Sequence, residues 1–519
     1  MAQKYFSISL KDSIFQPDVE NTPRTVINPA KGEVPEPIRT MFCENVVPTE
    51  YGYMSIVPVD AIPAKVTSPQ EFKTIREANG DEGNRVYLGF ANLGSAIVTI
   101  YVIKPGESAW TLLSGVAVPP SPGTGFESND ITVATVNAVS YTMIRQSLCY
   151  VYDESAASIV STTLTGLTLS TIIGLVASSG YLIAFSATAV AWSSTIDPTD
   201  FVPSTVTGAG GGKVAEARGA ILAAVPTDKG FLLYTEGNVI SATYTGNSAF
   251  PFKFKEVAGS AGVEGLDQTA FDTNSDIAFS YSNTGLQAIN ATKANIVLPE
   301  LGVQLSNNVI ESYNTTTGQF TDLALNKIHK KLRYIGNRYL VLSYGLSETA
   351  YTTALVYDTT LNRMGRFLIS HVDVIDLLGT FELSPVANSI AFLNALGKLT
   401  YASFSSPELQ SEGSLILGQL QDRHGKLLTI QSIEVQNTGY IDALSALGNL
   451  EVKVMSSFDG SVFTLTDGTL ESTGTDLTLP QRNTKKFNFR ATGINHSIIL
   501  KGTFRASTLL VTYTIDGNR

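Results

Sequence analysis

Apolar residues in this chain come in short runs and rarely at helical spacing. Nearly every run is rich in Val, Ile, Tyr and Phe and is bounded by Gly, Asn, Asp or Ser, which is the pattern of strands and turns. Gly230-Phe231-Leu232-Leu233-Tyr234, then Thr235-Glu236-Gly237-Asn238, then Val239-Ile240-Ser241-Ala242-Thr243-Tyr244 predicts strand, turn, strand. Similar apolar hairpins begin near Val86, Tyr141, Tyr181, Phe231, Ile277, Tyr339 and Ile390, at intervals of about 40 to 62 residues. A propeller blade of four short strands takes about 40–50 residues, so five to seven such units predict a β-propeller. A stacked array of β-sandwiches is the other arrangement that fits this spacing. No WD or kelch signature marks the repeat.

The flanks read differently. In the first 75 residues, INPAKGEVPEPIRT and VPVDAIPAKVTSP are rich in proline, which has no N–H for a central strand's ladder. They predict an extended arm that wraps a neighbour or lays down an edge strand; for residues 15–40 a disordered tail fits equally. After about residue 408, Leu450, Val452 and Val454 alternate with Glu451 and Lys453, and Ser497–Lys501 and Leu509–Tyr513 are further strands. About eight strands over roughly 110 residues predict a β-sandwich. The expected chain is therefore all-β: an N-terminal arm with lead-in strands over 1–75, a β-propeller over 76–407 and a C-terminal β-sandwich over 408–519.

Residues 155–196 carry no charge, and about 20 mainly apolar residues suffice for a membrane helix. This stretch is interrupted by Gly166, Gly174 and Gly180 and is dense in Ser and Thr, so it predicts buried sheet and no membrane insertion. The opening MAQKYFSISLKDSIF has charges and no apolar core, unlike a secretory signal. Charged residues are only 16% of the chain, against roughly 25% in an average soluble protein. The net charge of −11 argues against a sequence-reading DNA binder, which would present a basic patch. The one dense basic cluster, Lys327-Ile328-His329-Lys330-Lys331-Leu332-Arg333, predicts a solvated strand or short helix, or else a contact to phosphate or an acidic partner.

Candidate chemistry is sparse. There is no G-x-S-x-G elbow and no H-E-x-x-H pair. His329, His371, His424 and His496 fall in separate segments and read as surface or turn residues. Cys43 and Cys149 make neither a disulfide framework nor a metal spacing; Cys149, within Leu148-Cys149-Tyr150-Val151-Tyr152, reads as a core thiol. Gly208-Ala209-Gly210-Gly211-Gly212-Lys213 fails as a phosphate loop, because Thr207 and Val214 stand where Gly and Ser or Thr are needed; it predicts a flexible loop. Ser457-Phe458-Asp459-Gly460-Ser461-Val462-Phe463 resembles the Asp-box hairpin of sialidase propellers, with Ser461 and Phe463 in place of its Gly and Trp. A glycosidase would further need a placed carboxylate pair, and nothing singles one out. No enzyme, cofactor, catalytic residue or metal site is expected.

One segment is more specific. Val190-Ala191-Trp192-Ser193-Ser194-Thr195-Ile196-Asp197-Pro198-Thr199-Asp200-Phe201 reads as a strand ending in Trp, an Asp-Pro turn and a second aromatic. Asp197 can accept backbone N–H bonds while Pro198 fixes φ. The segment resembles one in the propeller of the tail-nozzle proteins of short-tailed bacteriophages, also called tail tubular or packaged-DNA stabilisation proteins. Trp192, Ser193, Asp197, Pro198, Asp200 and Phe201 carry the match. It continues through Gly230–Asn238 with Glu236, through Thr243-Tyr244-Thr245-Gly246 and Phe252-Lys253-Phe254, and into Gly259–Gly262. Glu44-Asn45-Val46 to Tyr51-Gly52-Tyr53 is similar to the family's lead-in but lacks its Arg-Pro-Gly, and Arg490–Gly493 with Leu500–Phe504 looks like its closing sandwich.

The resemblance implies a structural virion protein, made in the host cytoplasm. It would be a nozzle or hub subunit of a homohexameric ring below the portal and adaptor, touching other tail proteins such as adaptor, fibres or needle. Genome DNA would be retained in, and later passed through, the central channel without sequence-specific binding. The alternative is a carbohydrate-recognising propeller adhesin or tail-fibre-type binding protein, which would need a cleft lined by Trp and Tyr.

Overall fold

The structure, a computed structural model, describes residues 3–12, 14–15, 25–27, 39–56, 72–92, 98–105, 107, 109–113, 130–265, 267–272, 274–282, 284–297, 309–314, 319–324, 330–345, 351–375, 389–395, 399–403, 412–422, 425–437, 449–459, 463–475 and 483–516. The regular elements among them are strands, apart from one short helical turn at Leu169–Thr171.

From Phe72 to Ser403, seven sheets follow one another, each started by strands consecutive in the chain. Their first strands are Phe72–Asn79, Ile131–Val136, Ile172–Ser178, Ile221–Thr227, Thr269–Asp272, Lys330–Ile335 and Asp373–Ile375. Each lies against the next, and the last lies against the first, so the sheets stand round one axis as blades 1 to 7 of a β-propeller. Blades 1 to 5 have four strands each. The hairpin Val309–Asn314 with Gln319–Ala324 is inserted between blades 5 and 6.

The burial of each strand follows its place in the blade. In blade 4 the first strand, Ile221–Thr227, alternates buried and partly exposed residues, whereas the second, Gly230–Thr235, is buried throughout. A second strand has a neighbouring blade on both faces, so both of its faces must be apolar. Separate cores fill the gaps between blades: Met143, Cys149 and Leu182 between blades 2 and 3, and Ile183, Phe231 and Ile240 between blades 3 and 4.

Two further sheets lie outside the ring. One has the order Lys4–Ser9, Thr508–Asp516, Leu427–Asn437, Asn483–Gly493, Thr469–Thr475. The other is centred on Gly413–Asp422, with Arg39–Glu44 on one side and Asn495–Gly502, then Glu451–Ser457, on the other. Phe6, Ile8, Leu417, Ile433, Leu500 and Val511 meet in one core between them, and that core extends to Phe279 and Leu342 of blades 5 and 6. The described N-terminal strands are thus laid on the chain's own sheets: Lys4–Ser9 pairs with Thr508–Asp516, and Thr25–Ile27 and Arg39–Glu44 with Gly413–Asp422. Most of residues 15–40 lie outside the described residues. Val46–Pro48 and Tyr53–Ser55 continue the outer edge of blade 6, and Arg505–Ala506 completes a seven-stranded sheet.

Of three expectations, two change in detail. The boundary at 75/76 falls inside the first strand of blade 1, because the apolar alternation already starts at Phe72. The uncharged stretch 155–196 is sheet in blades 2 and 3, and no helix among the described residues is long and apolar enough to cross a membrane. The glycine run is no flexible loop: Gly210–Lys213 is the outer strand of blade 3, paired with Ala189–Trp192. A Cβ on Gly211 would stand 2.7 Å from the Val190 carbonyl oxygen, so glycine is what lets this strand close.

Because Phe6 is buried in the core between the two outer sheets, Phe6→Ala is expected to lower unfolding stability by about 3 kcal/mol, read as a shifted midpoint in guanidinium titration.

Candidate functional site

The segment Trp192–Phe201 forms a rim on the edge of blade 3. Trp192 ends the third strand; its Nε1 donates to the Gly208 carbonyl at 3.0 Å, and its ring meets Phe252 of blade 4 edge-on at 5.8 Å. Buried Ser193 accepts the Leu182 N–H on Oγ at 3.0 Å and donates to the Ser194 carbonyl at 3.1 Å. Asp197 accepts the Thr199 N–H at 2.8 Å and the Thr199 hydroxyl at 2.7 Å, with Pro198 between them, and the Asp200 N–H closes the turn onto the Asp197 carbonyl. Asp200 in turn accepts the Val202 N–H at 3.0 Å. Phe201 is buried in the core between blades 2 and 3.

The other two residues of the match are split by strand direction. Gly246, at φ +76°, lies between the third and fourth strands of blade 4, in a connection that leaves the same face as residues 193–209 of blade 3. A Cβ on Gly208 would stand 3.5 Å from the Ser248 carbonyl, so the two loops abut. Glu236 sits between the second and third strands, on the opposite face, where Oε2 accepts the Ala220 N–H at 3.2 Å. All eight matched residues therefore build turns or fill cores.

What the sequence reading missed is what these turns hold up. Ile196, Val206 and Phe250 are 79%, 87% and 74% exposed, and Val202 of the first loop and Tyr244, at the strand end before the second, are also exposed. The available signal was an isolated apolar residue between turn formers, as in Thr195-Ile196-Asp197 and Thr205-Val206-Thr207. A groove of about 350 Å³ runs beside this rim along blade 3, lined by Leu167, Thr168, Ala191, Phe201, Pro203 and Gly211. None of the residues lining it titrates, so it offers no acid–base chemistry.

The basic cluster corrects both of its readings. Lys330 and Lys331 are buried at the start of blade 6's first strand, and Arg333 is largely buried; residues 327–329 lie outside the described residues. Lys330 donates to the Tyr281 hydroxyl at 3.2 Å and lies 4.3 Å from that ring's centre. Lys331 reaches Asp373 at 3.3 Å and Asp267 at 3.6 Å, and Arg333 reaches them at 3.2 and 3.1 Å. From blade 1, the Thr74 hydroxyl donates to Asp373 at 2.6 Å and Arg76 lies 3.8 Å from it. Burial alone would raise the Asp373 carboxyl; Arg333, Lys331, Arg76 and the Thr74 hydroxyl reverse this and hold it below the usual carboxylate range. Lys331 and Arg333 are paired inside the protein with acids contributed from blades 5 and 7, and Lys330 with a tyrosine of blade 5.

His371 and His496 are also buried, which corrects the surface reading, while His329 and His424 lie outside the described residues. His371 contacts the Ile369 carbonyl and the Ser343 hydroxyl, and His496 the Ser456 hydroxyl and the Gly493 carbonyl. Burial lowers both from 6.5 to about 4. Burial pushes the Cys43 and Cys149 thiols up to about 12, so neither is a ready nucleophile. No group of His, Cys, Asp and Glu among the described residues could hold a metal. Ser457 ends a strand of the sheet centred on Gly413–Asp422 and Asp459 follows it, outside the propeller blades, which corrects its likeness to a propeller Asp-box.

Two outcomes follow from the buried charges. Asp373→Asn leaves Lys331, Arg333 and Arg76 around a single carboxylate and is expected to lower stability by about 3–5 kcal/mol in chemical denaturation. The histidines are neutral when folded and protonate when unfolded, so their stabilisation is complete above pH 6.5 and is lost as pH falls from 6.5 towards about 4. Denaturation midpoints measured across that window are expected to fall, and the double variant His371→Gln/His496→Gln to flatten the fall.

No family model and no curated protein matches the chain. Among solved structures it is similar to the WD40 β-propeller domain of Doa1, at 11% identity over 69% of this chain and 98% of that one, with a TM-score of 0.36. It is also similar to YCF48 bound to D1 peptide, at 11% identity over 67% and 99%, with a TM-score of 0.39. The β-propeller assignment rests on the closed ring of seven first strands.

Proposed function

We propose that the chain is a structural virion protein of the tail-nozzle or hub type, without enzymatic activity. It forms a hexameric ring below the portal and adaptor, retains the packaged genome and passes it during ejection. In this reading the two face-packed sheets are the C-terminal β-sandwich, joined by the N-terminal lead-in strands.

The observation that carries the reading is the rim of blades 3 and 4. The segment that resembles the nozzle family spends its polar groups on its own turns and leaves Ile196, Val206 and Phe250 in water. Clustered apolar exposure of this kind is what a subunit contact covers. The net charge of −11 suits a ring through which DNA must slide without being gripped. The carbohydrate-binding alternative has less support: Trp110 is buried against Phe72, and Trp192 is packed on Phe252, so neither offers a sugar-stacking face.

Native mass spectrometry or light scattering tests the reading. A closed multi-copy ring is expected, and a stable monomer with glycan affinity would overturn it. The variant Ile196→Asp/Phe250→Asp is expected to dissociate the ring while folding normally, since exposed substitutions shift stability by only about 0.5 kcal/mol each.

A further inference from the structure

We infer that the surface covering this rim is the acidic side of blades 1 and 2 in the next copy of the same chain. The inference rests on the ring reading and names the partner surface within it.

The fourth strand of blade 4, Phe252–Glu256, follows directly from the rim loop and exposes Lys253 and Lys255, while Lys229 is exposed in the turn after that blade's first strand. The ion pair of this blade among the described residues is Arg218 with Glu256, which leaves these three lysines without an acidic partner there. The rim's own carboxylates, Asp197 and Asp200, accept N–H groups of their own turns, as Asp153 does in the acidic turn of blade 2. The rim is therefore apolar, flanked by three exposed lysines, with Asp228 and Asp276 at the turn of Lys229 and Glu256 paired with Arg218.

The complementary surface lies on the same molecule. Asp81 and Glu82 occupy the turn between the first and second strands of blade 1, and Asp153 and Glu154 begin the turn between the third and fourth strands of blade 2. The two turns are joined, because the Glu154 N–H donates to Asp81 at 2.9 Å and the Asn84 N–H to Glu154 at 3.0 Å. Arg85, the nearest arginine in sequence, is engaged by Glu77. Connections between first and second strands and between third and fourth strands leave one face of a propeller, so the acidic turns and the rim share a face.

Two rims placed against each other would bring lysine to lysine. A rim placed against the acidic turns of a neighbour satisfies both charges, and within the ring reading this contact between unlike patches repeats from copy to copy. Lysines on an outer strand also discourage edge-to-edge pairing, so the test must separate pairing of opposite charges from mere solubility.

Charge reversal does so, read as mass in solution. Lys253→Glu/Lys255→Glu and Glu82→Lys/Asp153→Lys are each expected to weaken assembly at least tenfold while their melting temperatures show folded protein. Mixing the two variants is expected to restore assembly, because every contact in an alternating ring again joins opposite charges. If the wild-type chain assembles and both variants still do, or if both fail and the mixture stays dissociated, the acidic turns are not the partner and the ring reading stands. A monomeric wild-type chain would overturn the ring reading and this inference with it.

Discussion

The ring of blades closes where blade 7 meets blade 1, and among the described residues no strand pairing crosses that join. Blade 1 is built from one continuous stretch of chain, and among the described residues the seam is held by side chains. Asp373 is the centre of the polar part: it takes a hydrogen bond from Thr74 and faces Arg76 across the seam, while Lys331 and Arg333 grip it from blade 6. Phe72, Tyr87, Val372 and Leu393 supply the apolar part. A backbone ladder would tolerate the loss of one side chain; this closure concentrates its polar hold on a single carboxylate. Taking charges out of water is costly unless they are paired, and the pairing here forces blades 5, 6, 7 and 1 into one register around the axis.

Much of the propeller was legible because of where the hydrophobic burial falls. Val86, Tyr141, Tyr181, Phe231, Ile277, Tyr339 and Ile390, the starts of the apolar repeat, all lie in the second strand of their blades. Those strands have blade on both sides, so they appear as unbroken apolar runs. First strands, which present one face to the axis, alternate and stand out less. The weak point of the reading was the outer strand of blade 3, where Gly210–Lys213 has no side-chain pattern to see and is strand only because glycine fits against Val190.

The site was legible in its turns and illegible in its charges. Asp197 and Pro198 announce a turn locally, and the turn forms with Asp197 bonded to Thr199. Lys330, Lys331 and Arg333 looked solvated because their partners, Tyr281, Asp267 and Asp373, lie some 40 to 66 residues away. A local window cannot register a compensating charge on another blade. The exposed Ile196 and Phe250 show the converse: apolar residues count towards a core in any composition, and only the fold reveals that these two are left outside it.

The seven-stranded sheet that begins at the propeller axis ends on Arg505–Ala506, and Lys4–Ser9 finds its only strand partner in Thr508–Asp516 among the described residues. Lys4–Ser9 is therefore laid on a strand about 500 residues further along the sequence. During synthesis, blades 1 to 5 can form from contiguous sequence as they emerge. Lys4–Ser9 meanwhile must wait for Thr508–Asp516, and Arg39–Glu44 for Gly413–Asp422, before their pairing exists. Long-range pairing of this kind folds slowly and leaves strand edges open in the interim. Completion of these two pairings thus waits until residues 505–516 have emerged, and the partly built form, with its edges uncovered, is the one the cell must keep from pairing elsewhere.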